Sequence, residues 1–184
     1  MKVFPIAPDI NIKDNLDEYQ KELCQMAITN GAESANIVNV SNIVFNQKVL
    51  SCPENEKSFN YPKVIYEKDP IQDILKKYQW AVVFKIDQQQ GLKRVYEITA
   101  KIESHCFYHN FHLAVALAAG NCRRIFCSTQ NECQAMTIGK GCAFPMIARP
   151  SIESCGIDLH LLAKEAGMSH YHQDKHYLGM IFVD

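Results

Sequence analysis

The sequence predicts an α/β fold: a single layered domain with a mixed sheet of four or five strands, helices packed on it, and a cysteine-rich loop ahead of the last helix. Three observations predict it. Apolar residues recur alternately with helical and strand periods, 184 residues suffice to bury a core without disulfides or metal, and the stretch from Asn121 to Gly156 concentrates cysteine, glycine and proline.

Pro5 and Pro8, set among apolar residues, suggest an extended start. Asp14 reads as a helix N-cap with Asp17 three positions on. Leu16, Tyr19, Leu23, Met26 and Ala27 follow at helical spacing until Asn30 and Gly31 end the helix. From Ala35 to Phe45 a β-branched, alternating run predicts one strand or two short ones, and a loop through Cys52, Pro53 and Pro62 follows. Asp69, Pro70 and Gln72 form a helix start, with Ile71, Ile74, Leu75 and Tyr78 as its buried stripe.

Trp80 to Ile86 is apolar except for Lys85, as a central strand requires. Leu92, Val95, Thr99, Ile102 and Cys106 repeat at steps of three and four, the strongest amphipathic pattern in the chain. Alternation from Phe111 to Ala118 predicts a strand leading to Gly120 and the cysteine loop. Pro150 and Ser151 then open a helix to about Ala166, and Tyr177 to Val183 makes the last strand.

Nineteen Lys and Arg against twenty Asp and Glu leave a net charge of −1, which gives no electrostatic footprint for nucleic acid or an anionic membrane. No apolar run approaches the roughly 20 residues of a membrane span, and Met1 is not followed by a signal peptide, so the expectation is a cytoplasmic protein. Eight cysteines in a reducing compartment favour ligand or reactive roles over disulfides.

Five of the eight lie in the organising stretch: Cys122, Cys127, Cys133, Cys142 and Cys155. The first four are expected to ligate a soft metal or an iron–sulfur cluster, because thiolates suit zinc and iron better than carboxylates do. Gaps of four, five and eight residues lack the two-residue turn of a zinc ribbon and favour a cluster, of the 4Fe–4S kind, with zinc as the alternative. Backbone donors near Gly139 and Gly141, with apolar shielding by Phe144 and Ile147, would tune it. The opposing reading is of ordinary cysteines, and packing is the expectation for Cys24, Cys106 and Cys155.

Arg149, Ser151 and Glu153 fall at the expected start of the last helix. Arg149 and Ser151 are therefore candidates to hold an anionic cofactor or substrate group, against the simpler reading of a cap and a local ion pair. His170, His172 and His176, and separately His105, His109 and His112, are weaker ligand sets that read first as solvated or packing residues.

Gly120, Asn121 and Cys122, then Cys142, Ala143, Phe144 and Pro145, then Ala148 to Glu153 and Gly156 to Asp158, resemble the C-terminal signature of the predicted metal-binding proteins called domain of unknown function 2284. The resemblance extends over most of the chain and implies a cysteine-rich metal or iron–sulfur protein of anaerobes with no assigned reaction. The chain departs from the family pattern in two ways. Its C-terminal cysteines are more widely spaced, and of the family's N-terminal cysteine group only Cys52 and Pro53 remain, which implies loss of any second cluster.

Four ligating thiolates leave no open coordination position, so electron transfer, sensing or an accessory role is expected, with a protein redox partner or complex subunit. A free fourth position would revive an enzyme, with Arg149 as anion holder. The other function classes are a zinc-stabilised interaction module and a metal-free scaffold.

Overall fold

The structure, a computed structural model, describes residues 15–45, 71–128, 133–134 and 141–183. The expected Asp14 cap, the Cys52 loop, the Asp69–Pro70 helix start and Gly139 lie outside these residues.

Helix α1 (Leu16–Thr29) leads to strand β1 (Ser34–Asn39). The expected strand stops there because the Asn39 side chain accepts a hydrogen bond from the Ser41 amide at 2.9 Å and turns the chain into a 3-10 turn over Val40–Asn42. Phe45 returns only as an isolated bridge to Ile157. A short helix α2 (Ile71–Leu75) then precedes β2 (Trp80–Asp87), and the long amphipathic helix α3 covers Leu92–Tyr108. Strand β3 is shorter than the alternation predicts, Val115–Ala118. Asn110 takes a left-handed φ of 71°, Ala114 hydrogen-bonds back to Phe111, and Leu113 is 67% exposed, so Phe111 to Ala114 forms a turn.

A four-residue helix α4 (Arg123–Phe126) interrupts the cysteine loop. The helix predicted from Ser151 to Ala166 is in fact two pieces. A 3-10 turn over Glu153–Cys155 ends at Gly156, whose φ of 76° is a left-handed stop, and Asp158 then caps helix α5 (Leu159–Glu165) by accepting from the amides of His160 and Leu161. The chain ends in β4 (His176–Val183).

The sheet order is β1-β2-β4-β3 and all three ladders are antiparallel, in place of the expected mixed sheet. The last strand inserts between β2 and β3, so those two run parallel to each other without touching, joined by α3 crossing one face. Alternation in β2 divides the core. Trp80, Val82, Phe84 and Ile86 pack under α1 and α3, while Ala81 and Val83 join Met180, Phe182, Leu162 and Ile157 on the opposite face, beneath α5. Apolar side chains on both faces explain the nearly continuous apolar run that marked β2 in the sequence.

The exposed edge of β3 is closed by later chain. Ala118 donates to the Pro150 carbonyl at 3.0 Å and accepts from Ile152 at 3.2 Å, a parallel bridge along Pro150–Ile152, and the Ala116 amide donates to the Glu103 carboxylate of α3 at 2.8 Å. The segment resembling the family signature is therefore fixed to the sheet edge beside the cysteine loop. Among the described residues no helix is long and apolar enough to cross a membrane.

Candidate metal centre

The site begins where β3 ends. Asn121 accepts from the Arg123 amide at 2.9 Å and starts α4, placing Cys122 immediately before that helix and Cys127 at its end. Phe126, next to Cys127, meets Phe144, two residues past Cys142, in a tilted ring contact at 5.6 Å, and meets Tyr96 of α3 edge-on at 5.5 Å. Aromatic contact thus draws the Cys127 and Cys142 segments together over α3.

Arg149 secures the second segment. Its guanidinium pairs with Glu103 and donates to the carbonyls of Pro145, Met146 and Ala148, gathering the turn that follows Cys142. Ser151 accepts from the Ser154 amide at 3.0 Å, capping the 3-10 turn. Both side chains proposed to hold an anion are thus engaged with this chain's own groups.

The thiols lie in one electrostatic neighbourhood. Burial pushes Cys122 up to about 11, and Cys133, Cys142 and Cys127 each raise it further. Cys127, 9% exposed, is raised by burial and then by Cys133 and Cys142, while the charge of Arg123 opposes this. The Phe144 amide donates to the Cys142 sulfur at 3.3 Å. Such N–H···S bonds stabilise sulfur carrying negative charge, and they set the potential of iron–sulfur centres. Among the described residues, however, no three His, Cys, Asp or Glu side chains are grouped as around an ion. The donor chemistry fits a soft metal, and ligation requires the four sulfurs to close on it.

The described cysteines outside this set, Cys24, Cys106 and Cys155, behave as packing residues. Cys106 and Cys155 are core, with burial pushing Cys155 up to about 12, and Cys24 packs against the α1–α3 core. His105 and His109 do share a face of α3, stacked 4.0 Å apart, and His105 meets Glu22 at 3.1 Å. His170 and His172 lie in an exposed turn ahead of β4, where His172 donates its amide to His176 Nδ1.

Two residues outside the predicted ligand set complete the surroundings. Tyr96 donates to the Gly120 carbonyl at 3.1 Å, and Gly120 donates its amide to both oxygens of Glu153, at 3.1 and 3.2 Å. Burial pushes the Glu153 carboxyl up. Glu153 stood in the quoted signature, but nothing in its sequence neighbourhood signals that it hydrogen-bonds thirty-three residues back to the start of the cysteine loop.

Residues 33–183 match a family described as predicted metal-binding proteins, DUF2284. The chain belongs to that family. The match runs from the start of β1 to the end of β4, so it takes in every strand of the sheet and all four candidate ligands, while α1 precedes it. No curated protein and no solved structure matches the chain.

Proposed function

We propose that this DUF2284 member holds its metal at Cys122, Cys127, Cys133 and Cys142, as an iron–sulfur cluster of the 4Fe–4S kind serving electron transfer, sensing or an accessory role in the cytoplasm. The observation that supports it is that four thiols from three separate stretches share one electrostatic neighbourhood, in which Cys133 and Cys142 help hold both Cys122 and Cys127 protonated, and that the Cys142 sulfur already accepts a backbone hydrogen bond. Four thiolates fill a cluster's protein ligands and leave no open position, which favours passing electrons to a protein partner over Lewis-acid catalysis. In this reading Arg149 secures the turn behind Cys142, and Arg123 offsets thiolate charge.

The test is iron, zinc and acid-labile sulfide content together with the visible spectrum of protein purified without oxygen, beside single Ser variants of the four cysteines and of Cys155. Matching iron and sulfide with broad visible absorption, lost in the four variants and kept in Cys155→Ser, is the expected result. Stoichiometric zinc in a colourless protein would replace the cluster with a structural clip. No metal after anaerobic reconstitution would defeat the ligand assignment.

A further inference from the structure

A cavity of about 260 Å³ opens beside the cysteine loop, between Gly120–Asn121 and the segment that enters β4. At about 30 Å³ per water it holds roughly nine waters, the size of a small metabolite and less than a nucleotide needs. Its walls mix apolar surface, from Ala119 and Leu159, with the polar side chains of Arg124, Ser151, Glu153 and Tyr177.

The lining combines an acceptor with several donors. Glu153 brings a carboxylate with about four acceptor positions, and the single Gly120 amide donates to both of its oxygens. Buried acceptors demand donors, so a hydroxyl or ammonium group is favoured there. The Ser151 hydroxyl proton is available, because its oxygen accepts from Ser154, and the Tyr177 oxygen accepts from Gln88 at 3.2 Å, which leaves its own proton to donate. Arg124, which already has a partner within the chain, adds positive charge and a guanidinium of five donors, and together these groups suit an anion.

We propose that this cavity binds a small carboxylic acid carrying a hydroxyl or amino group, its carboxylate toward Arg124 and the hydroxyls, its donor toward Glu153. Only Asn121 separates Gly120 from Cys122, so the occupant sits beside the proposed metal loop, but its binding does not depend on that assignment.

The probes are L-lactate and L-serine, with propionate as the analogue lacking the donor, titrated by calorimetry and ligand-observed NMR into the full-length protein as purified. Lactate or serine is expected to bind at least about tenfold more tightly than propionate, and Glu153→Gln and Arg124→Gln each to weaken it by about tenfold or more, as loss of a charged hydrogen bond does. Thermal unfolding verifies that each variant is folded; if Glu153→Gln is not, Arg124→Gln and Tyr177→Phe carry the test. Absence of binding by lactate and serine at high millimolar concentration, equal binding of propionate, or affinity unchanged in the folded variants overturns the proposal. Metal content of the same samples is read separately, so loss of metal with binding intact defeats only the metal assignment.

Discussion

Glu103 of α3 pairs with Arg149 of the turn behind Cys142, with the two side chains 21% and 11% exposed, and its other oxygen accepts the amide of Ala116 on the edge of β3. One carboxylate therefore joins a helix, the sheet edge and the segment that carries the last candidate ligand. Removing one partner of a mostly buried pair leaves the other uncompensated, at a cost of about 3 kcal/mol. Glu103→Ala should lose about that much stability in urea unfolding. Glu103→Gln should lose less, because its amide oxygen still accepts from Ala116. Equal losses in the two variants would show that the charge, and not the edge-strand bond, is what matters.

Gly179 faces Phe84 directly across the β2–β4 ladder, and the Phe84 ring occupies the space where a side chain on Gly179 would stand. Both strands are interior to the sheet, so neither can yield easily. Gly179→Ala should therefore destabilise by about 1–3 kcal/mol, the usual cost of overpacking a core. The double variant Gly179→Ala with Phe84→Leu should recover part of it relative to Phe84→Leu alone. A denaturation midpoint unchanged in Gly179→Ala would show that the ring moves aside freely.

The fold was legible where one periodicity ran long enough to be unambiguous. α1, α3, β2 and β4 each lie close to their predicted places, because Leu92 to Cys106 keeps one helical stripe and Trp80 to Ile86 one apolar run. The alternation from Phe111 to Leu113 misled, since a left-handed Asn110 starts a turn that leaves His112 and Leu113 exposed while Phe111 packs on Tyr19 and Trp80, and Ser151 looked like the cap that Asp158 provides. Sheet direction was hidden because insertion of β4 between β2 and β3 depends on long-range pairing. The four cysteines of the candidate site could be named from clustering alone. The engagement of Arg149 with Glu103 could not, because it joins residues forty-six apart that only the packing of the turn onto α3 brings together.

Burial makes a testable division among the thiols. Cys155 is 1% exposed and burial pushes its thiol up to about 12, so near neutral pH it stays almost wholly in the unreactive thiol form. Cys106 is fully buried, whereas Cys133 and Cys142 are half-buried. In metal-free native protein, alkylation followed by peptide mass mapping should mark Cys133 and Cys142 first and leave Cys155 and Cys106 unmodified until denaturant is added. Early labelling of Cys155 would contradict its place in the core.

Acid should weaken the fold through His105. Burial against α1, and then the neighbouring His109, hold its imidazole below the ordinary 6.5, against the opposing pull of Glu22. Tyr19 stacks on the ring from α1. The unfolded chain thus takes up a proton at pH values where the folded chain does not, and stability rises with pH wherever the unfolded state binds more protons. The contribution is complete above about pH 6.5 and is lost as the pH falls below it. Urea unfolding between pH 7.5 and 5.5 should show stability falling with acid, and His105→Gln should flatten that slope whatever its effect at neutral pH. A parallel slope in the variant would place the acid sensitivity on other groups.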